Sequence, residues 1–158
     1  MKKIEEEIRQ KKFTSIHQKA LLNLIYTSNW VQHKQQKYFK PFGITGQQFN
    51  ILRILKGQFP KTISGKEIKS RMLDRNSDVS RLLDRLAVKQ LITKRTCPND
   101  KRASEVLITE EGLALLDKLG KKLKLDHVLS LSEQEALMLS ALLDKARSED
   151  PPTHPTQP

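Results

Sequence analysis

The sequence predicts a mainly α fold that contains one small β-hairpin. Two observations lead to this prediction. Apolar residues recur every three or four positions along most of the chain, which is the spacing of helices buried on one face. Only between residues 91 and 109 does the spacing change to alternation on either side of a turn, as in paired strands. With 158 residues, the chain is long enough for one compact domain, or for one domain with extensions.

The N-terminal segment predicts a charged arm followed by one long helix. Residues 1–12 hold eight charged side chains and predict a helical arm that frays. From Phe13 to Phe39, leucines and isoleucines recur at helical spacing without an intervening Pro or Gly. Pro41 and Gly43 then end this helix, because proline lacks a backbone donor and glycine tolerates the turn that follows.

Two shorter helices follow, and each begins with a capping signal. Gln48 lies three residues after Thr45, and Glu67 lies three residues after Ser64. Both spacings predict capping boxes, in which two side chains satisfy backbone N–H groups reciprocally. The predicted inward-facing residues are Phe49, Ile51, Leu52, Leu55 and Phe59 in the first helix, and Ile68 and Met72 in the second.

The clearest helix is predicted from Ser77 to Lys89. Its apolar stripe follows the i, i+3, i+4, i+7 pattern of a helix buried on one side and consists of Val79, Leu82, Leu83 and Leu86. The opposite face carries Ser77, Ser80, Arg81, Asp84, Arg85 and Lys89. Since the apolar stripe is expected to hold the helix to the core, this polar face is available for a partner.

The stretch after this helix predicts two short strands joined by a basic turn. Leu91 to Cys97 forms the first strand and Ala103 to Thr109 the second. Residues 98–100, Pro-Asn-Asp, supply the turn. Lys101 and Arg102 follow directly, so the hairpin is expected to carry two positive charges at its tip.

The C-terminal segment predicts two more helices and a disordered tail. Thr109 caps the first helix, and Ser132 with Glu135 predicts a capping box for the second. Residues 136–143 are apolar on almost every side, so the last helix must be covered on several sides. A second subunit is the natural cover, and packing within one monomer is the alternative. The Pro-rich residues 148–158 predict disorder.

Charge is the strongest signal in the composition. The chain has 29 Lys and Arg against 18 Asp and Glu, which gives a net charge of +11 and a pI of about 9.8. Such a charge favours nucleic acid first and an acidic membrane surface second, while a basic protein without a polyanion partner is the plain alternative. The net charge is +8 over residues 1–59, +6 over 60–109 and −3 over 110–158. The polyanion surface is therefore not expected in the C-terminal part.

Several classes of protein find no support in the sequence. The single cysteine, Cys97, cannot form an intrachain disulfide and indicates a reducing compartment. Neither a secretory signal nor an apolar run of ~18 residues occurs, so a cytoplasmic protein without a membrane span is predicted. The four histidines share no i, i+3 or i+4 spacing, so no metal and no cofactor are expected. Motifs for a nucleophile or a phosphate-binding loop are missing, which predicts that the protein is not an enzyme.

The order of helix, turn, amphipathic helix and basic hairpin suits duplex DNA. A helix fits the major groove, where its exposed face can offer donors and acceptors to base edges. A hairpin beside it can reach the backbone or a narrow minor groove, whose negative potential attracts Lys101 and Arg102. We therefore interpret the hairpin as a second contact with the duplex.

These features resemble the MarR-type winged helix-turn-helix regulators, and the resemblance covers about residues 20–145. The stretch SDVSRLLDRLAVKQLITKRTCPNDKRASEVLITEEG contains the family's Ser-Arg-x-x-Asp-Arg-Leu run, basic wing and Val-x-Ile-Thr-x-x-Gly sequence. The matching residues are Ser80, Arg81, Asp84, Arg85, Leu86, Arg95, Asp100, Arg102, Val106, Ile108, Thr109 and Gly112. The later LSEQEALMLSALLDKAR is similar to the family's last helix. One departure is Gln90, where many relatives have Gly, because Gln accommodates a left-handed backbone less comfortably.

The resemblance implies a winged helix-turn-helix lobe, with the hairpin as its small β-wing, plus N- and C-terminal dimerisation helices. The implied domains are an arm and dimerisation helix over residues 1–40, a DNA-binding lobe over 41–109, dimerisation helices over 110–147 and a tail over 148–158. The implied function is that of a homodimer that binds a pseudo-palindromic operator in double-stranded DNA, usually as a repressor. Many such proteins release DNA when a small-molecule effector or an oxidant acts, and the identity of an effector is unknown from the sequence.

The predicted DNA contacts fall into three groups. They are Ser77, Asp78, Ser80, Arg81 and Arg85 on the recognition helix, Ser64, Lys66 and Lys69 on the preceding helix, and Lys101 and Arg102 on the wing. By resemblance, Arg95 and Asp100 support the wing. Arg81 is the strongest candidate for a base or phosphate contact. For Arg85, an ion pair with Asp84 is an equal alternative to DNA contact. For the residues of the preceding helix, the equal alternative is that they simply face solvent.

Two further alternatives stand beside this interpretation. A winged helix can also serve protein or RNA contact rather than operator binding. Cys97 could sense oxidants, because neighbouring cations lower the pKa of a thiol, although an unreactive strand cysteine is the preferred interpretation.

Overall fold

The computed structural model describes residues 2–97, 100–122 and 128–148 and divides the chain into two compact units. The first unit, Met1–Lys122, contains α1 (Ile4–Glu7), α2 (Ile16–Phe39), α3 (Gly46–Lys56), β1 (Ile63–Ser64), α4 (Gly65–Arg71), α5 (Val79–Val88), β2 (Ile92–Cys97), β3 (Asp100–Ile108) and α6 (Glu110–Lys122). The second unit, Leu123–Pro158, contains α7 (Glu133–Ala146). The mainly α prediction is confirmed. None of the described helices combines the length and the apolarity needed to cross a membrane.

Polar side chains start several helices at the predicted positions. The Thr45 hydroxyl accepts a hydrogen bond from the Gln48 backbone N–H, and the Gln48 side chain accepts one from the Thr45 N–H, which confirms this capping box. Ser132 and Glu135 form the third predicted box, at the start of α7. The long helix α2 follows a Ser15 cap, three residues later than predicted.

The capping box predicted at the start of α4 forms only in part. The Ser64 hydroxyl accepts from the Glu67 N–H at 3.1 Å, as predicted. The Glu67 carboxylate, however, accepts a hydrogen bond from the Arg71 guanidinium at 2.5 Å and does not accept one from the Ser64 N–H. A cation one turn later competes for this carboxylate, because opposite charges at i and i+4 are neighbours on the helix surface and attract each other.

The N-terminal arm is held against α2, where the sequence predicted a frayed end. Ile4 of the one-turn helix α1 is buried. Lys19 of α2 forms an ion pair with Glu5, and the Tyr26 hydroxyl donates to Glu7 at 2.8 Å. Donation to this carboxylate raises the pKa of Tyr26, because loss of the proton would place two negative charges together. One apolar and two polar contacts therefore order the arm.

The strands form one antiparallel sheet in the order β1-β3-β2, and the sequence predicted only β2 and β3. In the register of the sheet, Ile92 of β2 lies opposite Ile108 of β3. On the other side of β3, Ile63 of β1 lies opposite Val106. A strand of two residues carries no alternation of apolar and polar residues, so its sequence held no signal for β1.

Helices α3, α4, α5 and α6 pack with the sheet around one apolar core. Its buried residues include Ile51, Leu52, Leu55, Ile68, Met72, Val79, Leu82, Leu83, Leu86, Val106, Ile108, Leu116 and Leu119. All the predicted inward-facing residues of α4 and α5 belong to this set. Phe59, predicted to extend the stripe of α3, is instead half exposed, because α3 ends at Lys56 and the chain turns before Phe59.

The chain leaves α5 through a left-handed residue, at the position where the sequence departs from the family pattern. Gln90 has a φ of 58°. Its carbonyl accepts a hydrogen bond from the Thr109 hydroxyl at 2.7 Å, and that hydroxyl also accepts from the Gly112 N–H at 3.1 Å. Thr109 therefore caps α6, as predicted, and connects the end of α5 to the start of α6.

Helix α7 belongs to the second unit, Leu123–Pro158. None of its residues is buried, and Leu137 is 72% exposed. The described part of this unit contains no other helix that could cover the apolar residues 136–143. Cover by a second subunit therefore stays a prediction. The predicted disordered tail lies, from residue 149 onward, outside the described residues.

The start of α6 passes so close to β2 and β3 that it requires glycine. A Cβ on Gly112 would lie 2.3 Å from the Leu91 carbonyl oxygen and 2.7 Å from Cγ1 of Ile108. The first of these atoms belongs to the backbone, so a side-chain rotation cannot relieve the clash.

We expect Gly112→Ala to destabilise the protein by about 1–3 kcal/mol, the usual cost of overpacking, because backbone must move to admit the methyl group. Gly120 in the same helix is the matched control. A Cβ there meets no atom within 4 Å, so Gly120→Ala should stabilise α6 by about 1 kcal/mol. Urea unfolding of the three proteins at one concentration measures both effects. Equal stability of Gly112→Ala and the wild type would contradict the close approach.

Candidate nucleic-acid interface

Helix α5 presents a polar and basic face because its opposite face is buried in the core. The exposed residues of this face are Ser80, Arg81, Asp84 and Arg85. Hydroxyl and guanidinium groups can donate hydrogen bonds to base edges and to phosphates. The geometry therefore matches a helix that lies in a major groove.

The two arginines of this face are open to solvent. The Arg81 side chain is 75% exposed, although its Nε lies 3.7 Å from Oδ2 of Asp78. Exposed pairs of this kind contribute little free energy, so Arg81 can exchange this carboxylate for a phosphate. Arg85 forms no ion pair with any residue in the described part of the chain. Its alternative partner, Asp84, bonds to Lys94 of β2 at 2.7 Å instead.

Ser77 and Asp78 lie differently from the prediction. Helix α5 begins at Val79, two residues later than predicted, because the Asp78 carboxylate caps it by accepting from the Arg81 N–H at 3.1 Å. Ser77 precedes the cap, is only 5% exposed, and accepts a hydrogen bond from Nε2 of Gln47 at 3.2 Å. Ser77 is therefore too buried for a direct contact. The Asp78 side chain is 63% exposed, so its contact stays a prediction, although its negative charge would repel a phosphate.

Helix α4 keeps two of its three predicted contact residues at the surface. Lys66 and Lys69 are exposed, and neither forms an ion pair with another described residue. Ser64 is only partly exposed, and its hydroxyl is held by the Glu67 N–H. Ser64 therefore serves the start of α4, while the two lysines stay available to an anion.

The wing lies next to α5, which contacts β2. Arg95 of β2 is exposed and lies opposite Glu105 in the register with β3. The side chains of Cys97, Asp100, Lys101 and Arg102, and the turn residues 98–99, lie outside the described residues. The proposed phosphate contacts and the wing support by Asp100 therefore stay predictions.

The turn between α4 and α5 contains exposed residues that sequence reasoning missed. Seven residues, 72–78, separate the two helices. Leu73 is 90% exposed, and Arg75 and Asn76 are also exposed. The signal that could have indicated them is the run of polar residues directly before the cap of the recognition helix.

Hydrogen bonds to Asp74 fix the conformation of this turn. Its carboxylate accepts hydrogen bonds from the Asn76 N–H at 3.0 Å and from Nε2 of Gln47 at 2.9 Å. These donors favour the charged carboxylate and hold the pKa of Asp74 below its ordinary value of 3.8, with the Asn76 N–H as the largest cause. The turn is therefore fixed by polar contacts to α3 and within itself.

A sequence model of the MarR family matches residues 44–104, which contain α3, α4, α5 and most of the wing. The multiple antibiotic resistance protein MarR of Salmonella typhimurium is 30% identical over 127 residues, which cover 77% of this chain and 87% of that protein. The chain belongs to the MarR family. The family resemblance predicted from the SRLLDRL run, the wing and the ITEEG stretch is thereby confirmed.

Solved structures of MarR-family proteins have the same fold. The MarR transcription factor from Planctomyces limnophilus is 30% identical, with a TM-score of 0.65, and the match covers 86% of this chain and 96% of that one. A mutant of MarR from E. coli complexed with operator DNA is 28% identical, with a TM-score of 0.66, and covers 82% of this chain and 94% of that one. The winged-helix fold class is thus confirmed. Proteins of the MarR family are transcription factors and not enzymes, in agreement with the prediction.

We expect the contribution of Asp74 to stability to depend on pH. Since the pKa of Asp74 in the folded protein lies below 3.8, this contribution is present above pH 3.8 and is lost as the pH falls through the lowered value. The wild type should therefore melt at a higher temperature than Asp74→Asn at neutral pH, and the difference should shrink in acid. Thermal unfolding followed by circular dichroism measures both proteins. A difference that does not change with pH would show that the carboxylate charge does not fix the turn.

Proposed function

We propose that the chain acts as a homodimeric transcriptional repressor that binds a pseudo-palindromic operator in double-stranded DNA. The observation that carries this proposal is the exposed face of α5, where Ser80, Arg81 and Arg85 project from a helix anchored on its other side. Arginine pairs with guanine in the major groove through two hydrogen bonds, and serine can bond to any base. The similarity to a MarR protein solved on operator DNA supports the same class of ligand.

Two exposed apolar surfaces support the homodimer. They are formed by Ile16, Leu21, Leu24 and Ile25 on α2, and by Leu137, Met138 and Leu142 on α7. Grouped apolar residues of this kind mark interaction surfaces in soluble proteins. They belong to the proposed dimerisation segments, residues 1–40 and 110–147. A two-fold axis would place two copies of α5 on the same side of the duplex, ~34 Å apart.

The distribution of charge supports a contact between the lobe and the DNA backbone. The net charge over residues 60–109 is +6, and it includes Lys66 and Lys69, two exposed cations beside the recognition helix. Each phosphate neutralised by such a cation releases counterions, which makes binding weaken as salt increases. The contacts on α4 therefore supply affinity, while those on α5 supply preference for sequence.

Release by a small-molecule effector is part of this proposal. An open cavity of about 540 Å³ lies beside the end of α5 and along α6. Phe42, Leu91 and Leu115 line it together with the charged Lys89 and Lys118. A ligand seated there would contact the cap of the recognition helix, and different affinity for two positions of that helix would shift the DNA equilibrium.

Competition separates operator binding from the use of this fold for RNA or protein contact. A duplex selected by the wild type from a random library serves as the operator probe. The complex of the protein with this probe should persist in an excess of random duplex and dissociate in an excess of unlabelled probe. Equal retention of random RNA and random DNA would favour the alternative and overturn the proposal.

The double variant Arg81→Ala, Arg102→Ala should remain folded and dimeric, yet bind the operator at least about tenfold more weakly, because a good base contact contributes ~1–3 kcal/mol. Fluorescence anisotropy measures the affinity, and size-exclusion chromatography the assembly. Arg53→Ala is the matched control. Arg53 is an exposed arginine of α3 that belongs to none of the predicted contact groups. Wild-type affinity in the double variant would show that these arginines are wrongly assigned.

A further inference from the structure

The turn between α4 and α5 is longer than the turn of a typical helix-turn-helix. Residues 72–78 separate the helices, whereas three or four residues are usual. The turn enters α5 at its N-terminus, the end of a recognition helix that contacts base edges. The additional residues therefore lie next to the DNA in the proposed complex.

Side chains of α3 hold this turn in one conformation. Nε2 of Gln47 donates to Oδ2 of Asp74 at 2.9 Å and to the Ser77 hydroxyl at 3.2 Å. Oδ1 of Asn50 accepts from the Leu73 N–H at 3.0 Å. Oδ1 of Asp74 accepts from the Asn76 N–H at 3.0 Å. Contacts at four positions of the turn thus order it before any ligand arrives, which lowers the entropy lost on binding.

The fixed turn presents two polar side chains that have no structural task in the described part of the chain. The guanidinium of Arg75 and the amide of Asn76 are exposed, and neither bonds to another described side chain. Their chemistry is complementary to that of a duplex. A guanidinium binds phosphate, and an Asn amide pairs with adenine through two hydrogen bonds in the major groove.

We infer that this turn is a second operator-reading element, in which Asn76 bonds to a base edge and Arg75 bonds to a phosphate. Gln47 is its positioning residue, because it acts through Asp74 and Ser77. This inference rests on the proposed function, since it assigns contacts within the same complex. In each half-site of the operator, the turn therefore supplies one base contact in addition to those of α5.

The inference is tested with Asn76→Ala and the operator probe selected by the wild type. Binding to the operator should weaken about 5- to 150-fold, the range of one good base contact, while binding to random duplex stays unchanged. Duplexes selected by the variant should show no base preference at one position of each half-site where duplexes selected by the wild type show one. A variant that binds and selects like the wild type would overturn the role of Asn76.

Arg75→Ala should act differently from Asn76→Ala. Loss of a phosphate contact weakens binding to operator and random duplex alike, and it reduces the slope of log affinity against log salt by about one unit. Arg53→Ala, which removes an exposed arginine of α3 outside the proposed contacts, should leave both the affinity and the slope unchanged. An unchanged slope in Arg75→Ala would overturn the phosphate contact.

Gln47→Ala separates positioning from general stability. If Gln47 acts through the turn, its loss should weaken operator binding, and it should weaken random-duplex binding no more than Arg75→Ala does. It should add little to the effect of Asn76→Ala combined with Arg75→Ala. A merely structural role predicts additive losses on both kinds of duplex, together with a lower melting temperature, and would refute the positioning role. If the wild type prefers no duplex, the proposed function itself fails. If Arg81→Ala weakens binding but Asn76→Ala does not, only the present inference fails.

Discussion

The burial of one side of α5 is the constraint from which the candidate interface follows. The stripe residues Val79, Leu82, Leu83 and Leu86 are at most 7% exposed. Burial of each such side chain contributes about 1.5–3 kcal/mol, so a rotation of the helix that exposed them would cost most of the stability of a typical domain. The orientation of Arg81 and Arg85 toward solvent is therefore a consequence of packing and needs no interaction of the arginines themselves.

Polar side chains near the helix starts form hydrogen bonds with backbone N–H groups, and these bonds hold them away from a ligand. Asp78 and Ser64 accept hydrogen bonds from N–H groups that would otherwise lack partners in the first turn. Ser77 is buried against Gln47. The loss of a cap typically costs about 1 kcal/mol, and an exposed charge pair contributes less, so the cap decides where these side chains lie. The side chains that remain for DNA are those that follow the cap on the exposed face of α5 and those in the turn before the helix.

Most features that depend on neighbours in the sequence were predictable, although the competition of Arg71 for Glu67 and the cap at Asp78 were not, and features that depend on distant contacts were not predictable. The capping boxes at Thr45 and Ser132 need only a partner three residues away, and both were predicted correctly. The bond between Gln47 and Asp74 joins residues 27 positions apart, so no local pattern could show that the turn is fixed. Gly112 was noted as part of a family motif, but its physical reason, the approach to Leu91, became visible only in three dimensions.

Charge and apolar surface act in opposite directions in the proposed dimer, and the operator changes their balance. Two copies of a chain with a net charge of +11 repel each other, while the apolar faces of α2 and α7 favour association. The segment that contributes α7 has a net charge of −3, which reduces this repulsion in one of the regions where the copies are proposed to meet. A duplex that spans both lobes neutralises part of the remaining positive charge. Because it binds the dimer better than the monomer, it must also strengthen the association by the same free energy. In the proposed complex, assembly and operator binding are therefore one coupled equilibrium, in which the basic lobes contribute to dimer stability only when DNA is present.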